Sequence, residues 1–277
     1  MRNSGVEIEL NGTILKTKDF QWDAKVNITS YKNKITKLPT ERKTMTVDGV
    51  SGYSSDNYFY GEGQPLYTFY LHKYAGVNHE TGEALYYKDV VDANGKVTGQ
   101  TTTTNPSDAT YHLCGSALPD AYGGFGTSVS WKGFDASIDF TYQLGGKVYD
   151  SSYQSSMGLT RGGAFHVDLL DAWTATNKNS DIPRLQFNDT YTASTSDRFL
   201  TSASYLTLQN FTIGYTIPMS ICSRIGFDKV RVYVVGDNLW LWSKRQGLDP
   251  RQSIKGENSA SYYSPIRTIS GGITLTF

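Results

Sequence analysis

The stretch Gly123–Tyr142, GGFGTSVSWKGFDASIDFTY, alternates apolar and polar side chains almost without exception. Phe134, Ala136, Ile138, Phe140 and Tyr142 fall on one side, and Asp135, Ser137, Asp139 and Thr141 on the other. Successive side chains of a strand point to opposite faces, so the pattern predicts a strand with one apolar and one polar face. Phe125, Thr127, Val129 and Trp131 repeat it against Gly124, Gly126, Ser128 and Ser130. Lys132-Gly133 between the halves predicts a two-residue hairpin turn, glycine supplying a positive φ. Aromatic residues bracket the apolar face: Trp131 and Phe134 flank the turn, and Phe140 and Tyr142 lie at the far end. Strands that cross a bilayer carry aromatic girdles at both interfaces. A soluble β-sandwich also alternates, so this hairpin alone leaves both architectures open.

The same period recurs along the chain. Val6, Ile8, Leu10 and Ile14 oppose Glu7, Glu9, Asn11 and Thr13; Phe20, Trp22, Ala24, Val26 and Ile28 oppose Gln21, Asp23, Lys25, Asn27 and Thr29. Two neighbouring strands charged on the same side predict a water-filled interior. Tyr205–Pro218, Val230–Trp242 and Thr268–Phe277 complete seven clear strands, with Ile273, Leu275 and Phe277 on one face of the last. Between them, Leu38–Gln64 loses the alternation and predicts a long loop. Pro65–Ala75 and Glu83–Lys88 predict a weaker pair of strands about His79-Glu80-Thr81-Gly82. Asp89–Pro119 predicts loop with a small hairpin, and Gln143–Ser202 an irregular region with a short helix near Val167–Thr174. Connections are therefore short after Ile14, Trp131 and Pro218, and long after Ser30, Tyr142 and Trp242. Loops of this length are rare in compact soluble domains but expected at one rim of a membrane barrel, with short turns at the other. The rhythm favours an all-β, antiparallel transmembrane β-barrel. A chain ending inside a strand would leave a raw sheet edge, so the last strand is expected to pair with the first.

Composition narrows the function. Lys+Arg 26 balances Asp+Glu 26, so no net field recruits nucleic acid. No run of 18 apolar residues occurs, which predicts no transmembrane helix. The opening MRNSGVEIEL already reads as strand and carries no signal-peptide pattern; a barrel must be exported, so its front is expected to lie outside this sequence. Cys114 and Cys222 are too few for a disulfide framework and are expected as free thiols at opposite ends of the barrel. His72, His79, His112 and His166 are too scattered for a metal or catalytic set, and no hydrolase, redox or phosphate-binding motif occurs. Asp92-Ala93-Asn94-Gly95 resembles a Ca²⁺ loop superficially but reads better as a hairpin turn. Asp135 and Asp139 lie roughly 13 Å apart along one strand, too far to work on one bond. No catalytic, cofactor or metal site is expected, and the chain is expected not to be an enzyme. Glu7, Glu9, Asp23, Lys25, Asp135 and Asp139 are expected to face a lumen. Phe20, Trp22, Trp131, Phe134, Ile138, Phe140, Ile273, Leu275 and Phe277 are expected to face a membrane. Trp173, Tyr191, Tyr262 and Tyr263 fall in long loops, where flat rings suit sugar or peptide recognition or simply pack loop against loop.

AYGGFGTSVSWKGFDASIDFTYQLGGKVYDS, TSDRFLTSASYLTLQNFTIGYTIP and KVRVYVVGDNLWLWSKRQGLDPR resemble the C-terminal barrel of SusC/RagA-type TonB-linked (TonB-dependent) outer-membrane proteins. RNSGVEIELNGTILKTKDFQWDAKVNITSYKNKITKL and FYLHKYAGVNHETGEALYY are similar to the barrel segments that precede it. The resemblance covers almost the whole chain, residues 1–277, and is weakest in Pro39–Gln64 and Val90–Leu118. It implies part of a barrel of about 22 strands with a plugged lumen. It also implies a SusD-like lipoprotein lid, energy relayed by TonB through an N-terminal part absent here, and glycan or peptide import across the outer membrane. Signal peptide, plug domain and first barrel strands have no counterpart in this sequence. Two rivals fit the residues without the resemblance: a soluble carbohydrate-binding β-sandwich, and a small stand-alone outer-membrane pore or adhesin.

Overall fold

The computed structural model describes residues 1–158, 163–187, 189, 191–258 and 263–277. Seven strands form one antiparallel sheet in chain order: β1 (Arg2–Lys16), β2 (Phe20–Lys34), β3 (Ala121–Trp131), β4 (Phe134–Leu144), β5 (Tyr205–Thr216), β6 (Lys229–Ser243) and β7 (Thr268–Thr276). These are the seven strands the period of two predicts. Lys132 and Gly133, at φ 46° and 90°, make the two-residue turn between β3 and β4. Positive φ at both positions matches the right-handed twist of the strands, which is why the register is set there without slippage.

That register runs unbroken across the hairpin, from Trp131 opposite Phe134 to Ala121 opposite Leu144. A bulge near Ile14 hands the apolar face of β1 to Leu15, which stands opposite Trp22. A second, at Gln209, shifts β5 so that Leu208 and Leu206 join Phe140 and Tyr142 on one side and Trp240 and Trp242 on the other. One face of the sheet is therefore apolar from β1 to β7, and the other polar.

The last strand does not pair with the first. β1 and β7 stand at opposite edges of an open wall. The smallest outer-membrane barrels have eight strands, and seven strands with the usual twist do not curl far enough to close.

Because the sheet is a meander, all three long connections emerge at one rim, and they fold together into a cap. Residues 35–120 contain a five-stranded sheet, ordered Tyr111–Ser116, Thr68–His72, Tyr58–Gly61, Val50–Ser55, Met45–Val47. Leu38–Gln64 is thus not the long loop its lost alternation predicts: its strands are short, and some are buried on both faces. The pair predicted over Pro65–Lys88 exists but belongs to cap sheets rather than the wall, with Tyr74–Val77 pairing Ala84–Val91. The predicted helix near Val167 is a 3-10 turn, Val167–Asp171. Lys147–Asp150 pairs with Leu200–Ser202 and, in parallel, with Glu257–Asn258, which ties the second connection to the third.

The dry core lies in this cap. Tyr58, Phe69, Leu71 and Ala117 from the first connection pack with Tyr149, Met157, Leu169 and Phe199 from the second. The third connection is pinned to it by Tyr58, whose hydroxyl donates to the Lys255 carbonyl at 2.7 Å and to Glu257 Oε1 at 3.0 Å. Neither described core cluster contains a residue of the wall's apolar face. Trp131, Phe134 and Ile273 on that face stay 52%, 51% and 67% exposed, and among the described residues no second sheet covers them. Among the described residues no helix is long and apolar enough to cross a membrane.

Candidate functional site

The polar face of the wall carries a continuous array of polar and charged groups. Glu7, Glu9, Asp23, Lys25, Asp135 and Asp139 all lie on it, and eight of the nine residues predicted to meet a membrane lie on the other face; Phe277 follows the end of the last strand and packs against Phe227, 5.2 Å between ring centroids. Asp23 accepts from Thr13 at 2.6 Å and from Gln21 at 2.8 Å, and Glu9 from Asn11 at 2.7 Å. A concavity of about 520 Å³ opens over this face, lined by Asn11, Thr13, Asp23, Lys25, Ser128 and Asp139 among others.

Asp135 and Asp139 do not act together; each is held by its own cation. Lys25 of β2 meets Asp139 of β4 at 2.8 Å, and Arg231 of β6 donates through Nε to Asp135 of β4 at 3.0 Å. Both pairs skip a strand, and glycine lets them do so. In register, Gly126 of β3 lies between Lys25 and Asp139, and a Cβ there would stand 2.0 Å from Asp139 Oδ1. A Cβ on Gly214 of β5 would stand 2.5 Å from the Arg231 guanidinium. A side chain at either position would displace the carboxylate or the guanidinium from its present place. Gly126→Ala is expected to abolish the Lys25–Asp139 coupling, worth roughly 0.2–1 kcal/mol for such exposed groups. A double-mutant cycle with Lys25→Met and Asp139→Asn, run with and without Gly126→Ala, measures it; equal coupling in both backgrounds would refute the glycine's role.

The cap holds the four loop aromatics differently. Trp173 is used in packing: its Nε1 donates to the His79 carbonyl at 3.0 Å, and its ring lies against Gly82 and Arg184. Tyr191 is exposed and lines a cavity of about 310 Å³ with Glu83, Arg184, Gln186 and Asp189. Tyr263 is 99% exposed, and Tyr262 lies outside the described residues. Among the described residues, Trp173, Tyr191 and Tyr263 do not line one shared cavity.

The remaining candidates are structural. Asp92 spends its carboxylate on the amides of Asn94 and Lys96, both at 2.9 Å, which makes a turn of Asp92–Gly95. Cys114 and Cys222 are free, and burial pushes the Cys114 thiol up to about 12, where it stays protonated and unreactive. His72 is buried against the Tyr111 ring, 3.8 Å between centroids, and burial lowers its pKa, which keeps it neutral. Among the described residues no group of three or more His, Cys, Asp or Glu could hold a metal ion.

Comparison with known proteins shows what the chain is similar to. The chain aligns over its whole length with TonB-dependent receptor P3 of Formosa agariphila, 27% identical over 303 residues, and with TonB-dependent receptor SusC of Bacteroides thetaiotaomicron, 26% identical over 289. A solved structure of the RagAB peptide transporter superposes on 99% of the chain with a TM-score of 0.78 at 28% identity. This chain is a relative of the SusC/RagA-type TonB-dependent receptors. No protein-family profile matches it. It spans about 29% of the P3 receptor, 26% of SusC and 29% of the RagAB chain. The open seven-strand wall and its cap match part of the barrel of such a receptor. The named relatives are receptors and importers rather than enzymes.

Proposed function

We propose that this chain is the C-terminal portion of the barrel of a TonB-dependent nutrient importer of the outer membrane. The observation that carries the reading is the division of one sheet into an exposed apolar face and a polar, ion-paired face, in a chain that superposes on a peptide transporter's barrel. In this reading Phe20, Trp22, Trp131, Phe134, Ile138, Phe140, Ile273, Leu275 and Phe277 meet lipid, and Glu7, Glu9, Asp23, Lys25, Asp135 and Asp139 line a hydrated lumen. Every backbone amide of a spanning strand must be bonded within the sheet, which a closed wall achieves and an isolated edge does not. The cap faces outward, under a SusD-like lipoprotein lid, and meets the glycan or peptide first. A plug in the rest of the receptor, coupled to TonB, opens the lumen. The chain's own residues bind and guide; they make and break no covalent bond.

The test is uptake. In the native host, deleting the gene is expected to abolish growth on one class of glycan or peptide, and the tagged protein is expected to co-purify from outer membranes with a lipoprotein. Unchanged growth on every such substrate, with the protein in the soluble fraction, would overturn the reading.

A further inference from the structure

A cavity of about 380 Å³ in the cap, between the first and second long connections, is lined by Asp48, Lys73, His112, Lys147 and Asp197, with Leu113 and Leu200 as its apolar part. Its carboxylates are already engaged by the protein. Asp48 accepts from the Leu113 amide at 2.9 Å and contacts His112 Nδ1 at 3.2 Å. Asp197 accepts from the Tyr74 amide at 2.7 Å; burial raises its pKa, and the nearby charges of Lys73, His112 and Lys147 act against that rise. The two ammonium groups are less well served. Among the described residues neither Lys73 nor Lys147 forms an ion pair, and the Lys73 ammonium lies 5.7 Å from the Tyr87 ring centroid. His112 adds a buried Nε2 with no hydrogen-bond partner, 3.6 Å from Asp89. The cavity thus holds two lysine ammonium groups without an ion-pair partner among the described residues, beside two carboxylates that already accept hydrogen bonds from the protein.

We propose that this cavity binds a carboxylate-bearing ligand between the ammonium groups of Lys73 and Lys147. Its volume falls in the range of small-molecule pockets and fits one sugar-acid ring or the last residue of a peptide. A single negative charge suits it better than a dianion, whose second charge would face Asp48 and Asp197. Asp197 competes with the ligand for the same two cations, so removing its charge must strengthen binding. A ligand held here would bridge the two connections that build the cap's core, Lys73 coming from the first and Lys147 from the second.

Calorimetric titration of the detergent-purified protein tests this with D-galacturonate and N-acetyl-dialanine, each against its neutral counterpart, the methyl ester and the amide. At least one acid is expected to bind tenfold or more tighter than its neutral form. Lys73→Gln or Lys147→Gln is expected to weaken that acid at least tenfold, and Asp197→Asn to tighten it severalfold. Which acid binds identifies the source as glycan or peptide. Equal binding of acid and neutral form, binding of neither acid, unchanged affinity in both lysine variants, or no gain with Asp197→Asn would each overturn the proposal. Both lysines lie at exposed positions, and an unchanged circular dichroism spectrum of the variants separates lost binding from lost fold. The assignment goes beyond transport: uptake that failed while acid binding persisted would remove the importer reading and leave this site standing.

Discussion

Ile138→Arg is expected to remove the protein from the outer membrane, whereas Ser137→Arg, one residue earlier, is expected to leave it there. The two positions share a strand and differ only in face. Ile138 stands opposite Thr127 of β3 and Phe211 of β5 on the apolar side, while Ser137 stands opposite Ser128 and Thr212 on the polar side. From Phe134 to Tyr142 the apolar face of β4 runs about 27 Å along the strand, which with the usual tilt matches the hydrocarbon band of an outer-membrane barrel. Ile138 is at the middle of that run. An arginine facing lipid at the midplane costs roughly 2–4 kcal/mol, a large share of the stability of an ordinary domain. The same residue at position 137 would project over the polar concavity beside Lys25 and Asp139. The readouts are abundance in the outer-membrane fraction and the shift in electrophoretic mobility on heating. A soluble sandwich would also suffer from arginine at position 138, so solubility decides between them: wild-type protein that stays monodisperse without detergent would sink the membrane assignment whatever the variants do.

The wall was legible in the sequence because each of its strands has two different environments. Where one face is apolar and the other wet, selection writes a period of two, and β1 to β7 all carry it. The cap was not legible for the opposite reason. Phe59, Phe69 and Leu71 are fully buried on strands of four or five residues, too short and too enclosed to show an alternation. One signal was present and is specific: Asp48-Gly49, at φ 48° and 79°, is a two-residue turn of the same kind as Lys132-Gly133, with Val47 opposite Val50. The charged residues of the polar face could be assigned to a face but not to partners. Lys25 finds Asp139 and Asp135 finds Arg231 across an intervening strand, so the pairing follows from strand order and from Gly126 and Gly214, not from sequence spacing. Failure of first-to-last pairing has a similar origin. Local alternation says that a strand has two faces, but not how many neighbours the sheet needs before it closes.

Phe199→Ala is expected to loosen the cap without melting the wall. Phe199 is fully buried, and its ring packs edge-on against Tyr149 at 6.2 Å and Tyr153 at 6.1 Å, with the Arg198 guanidinium 5.4 Å from its centroid. Removing a buried phenyl ring costs about 3–5 kcal/mol when the surroundings cannot collapse into the space. The neighbours come from two connections that are far apart in sequence, with Phe69 and Leu71 on one side and Tyr149 and Met157 on the other, which limits that collapse. The loss should fall where the contacts are. Proteolysis within residues 35–120 and 145–204 is expected to accelerate roughly a hundredfold or more, since cleavage follows the population of the locally opened state. The wall strands, held by their own hydrogen-bond ladders and sharing no residue with this core cluster, are expected to keep their protection and their detergent-resistant mobility. Val97→Ser, at an exposed position of the cap, is the matched control and should change neither. If Phe199→Ala instead exposed wall and cap together, in one transition, the two would form a single cooperative unit. The cap would then transmit strain to the barrel rather than sit on it, and ligand capture at the rim would be coupled mechanically to the lumen below.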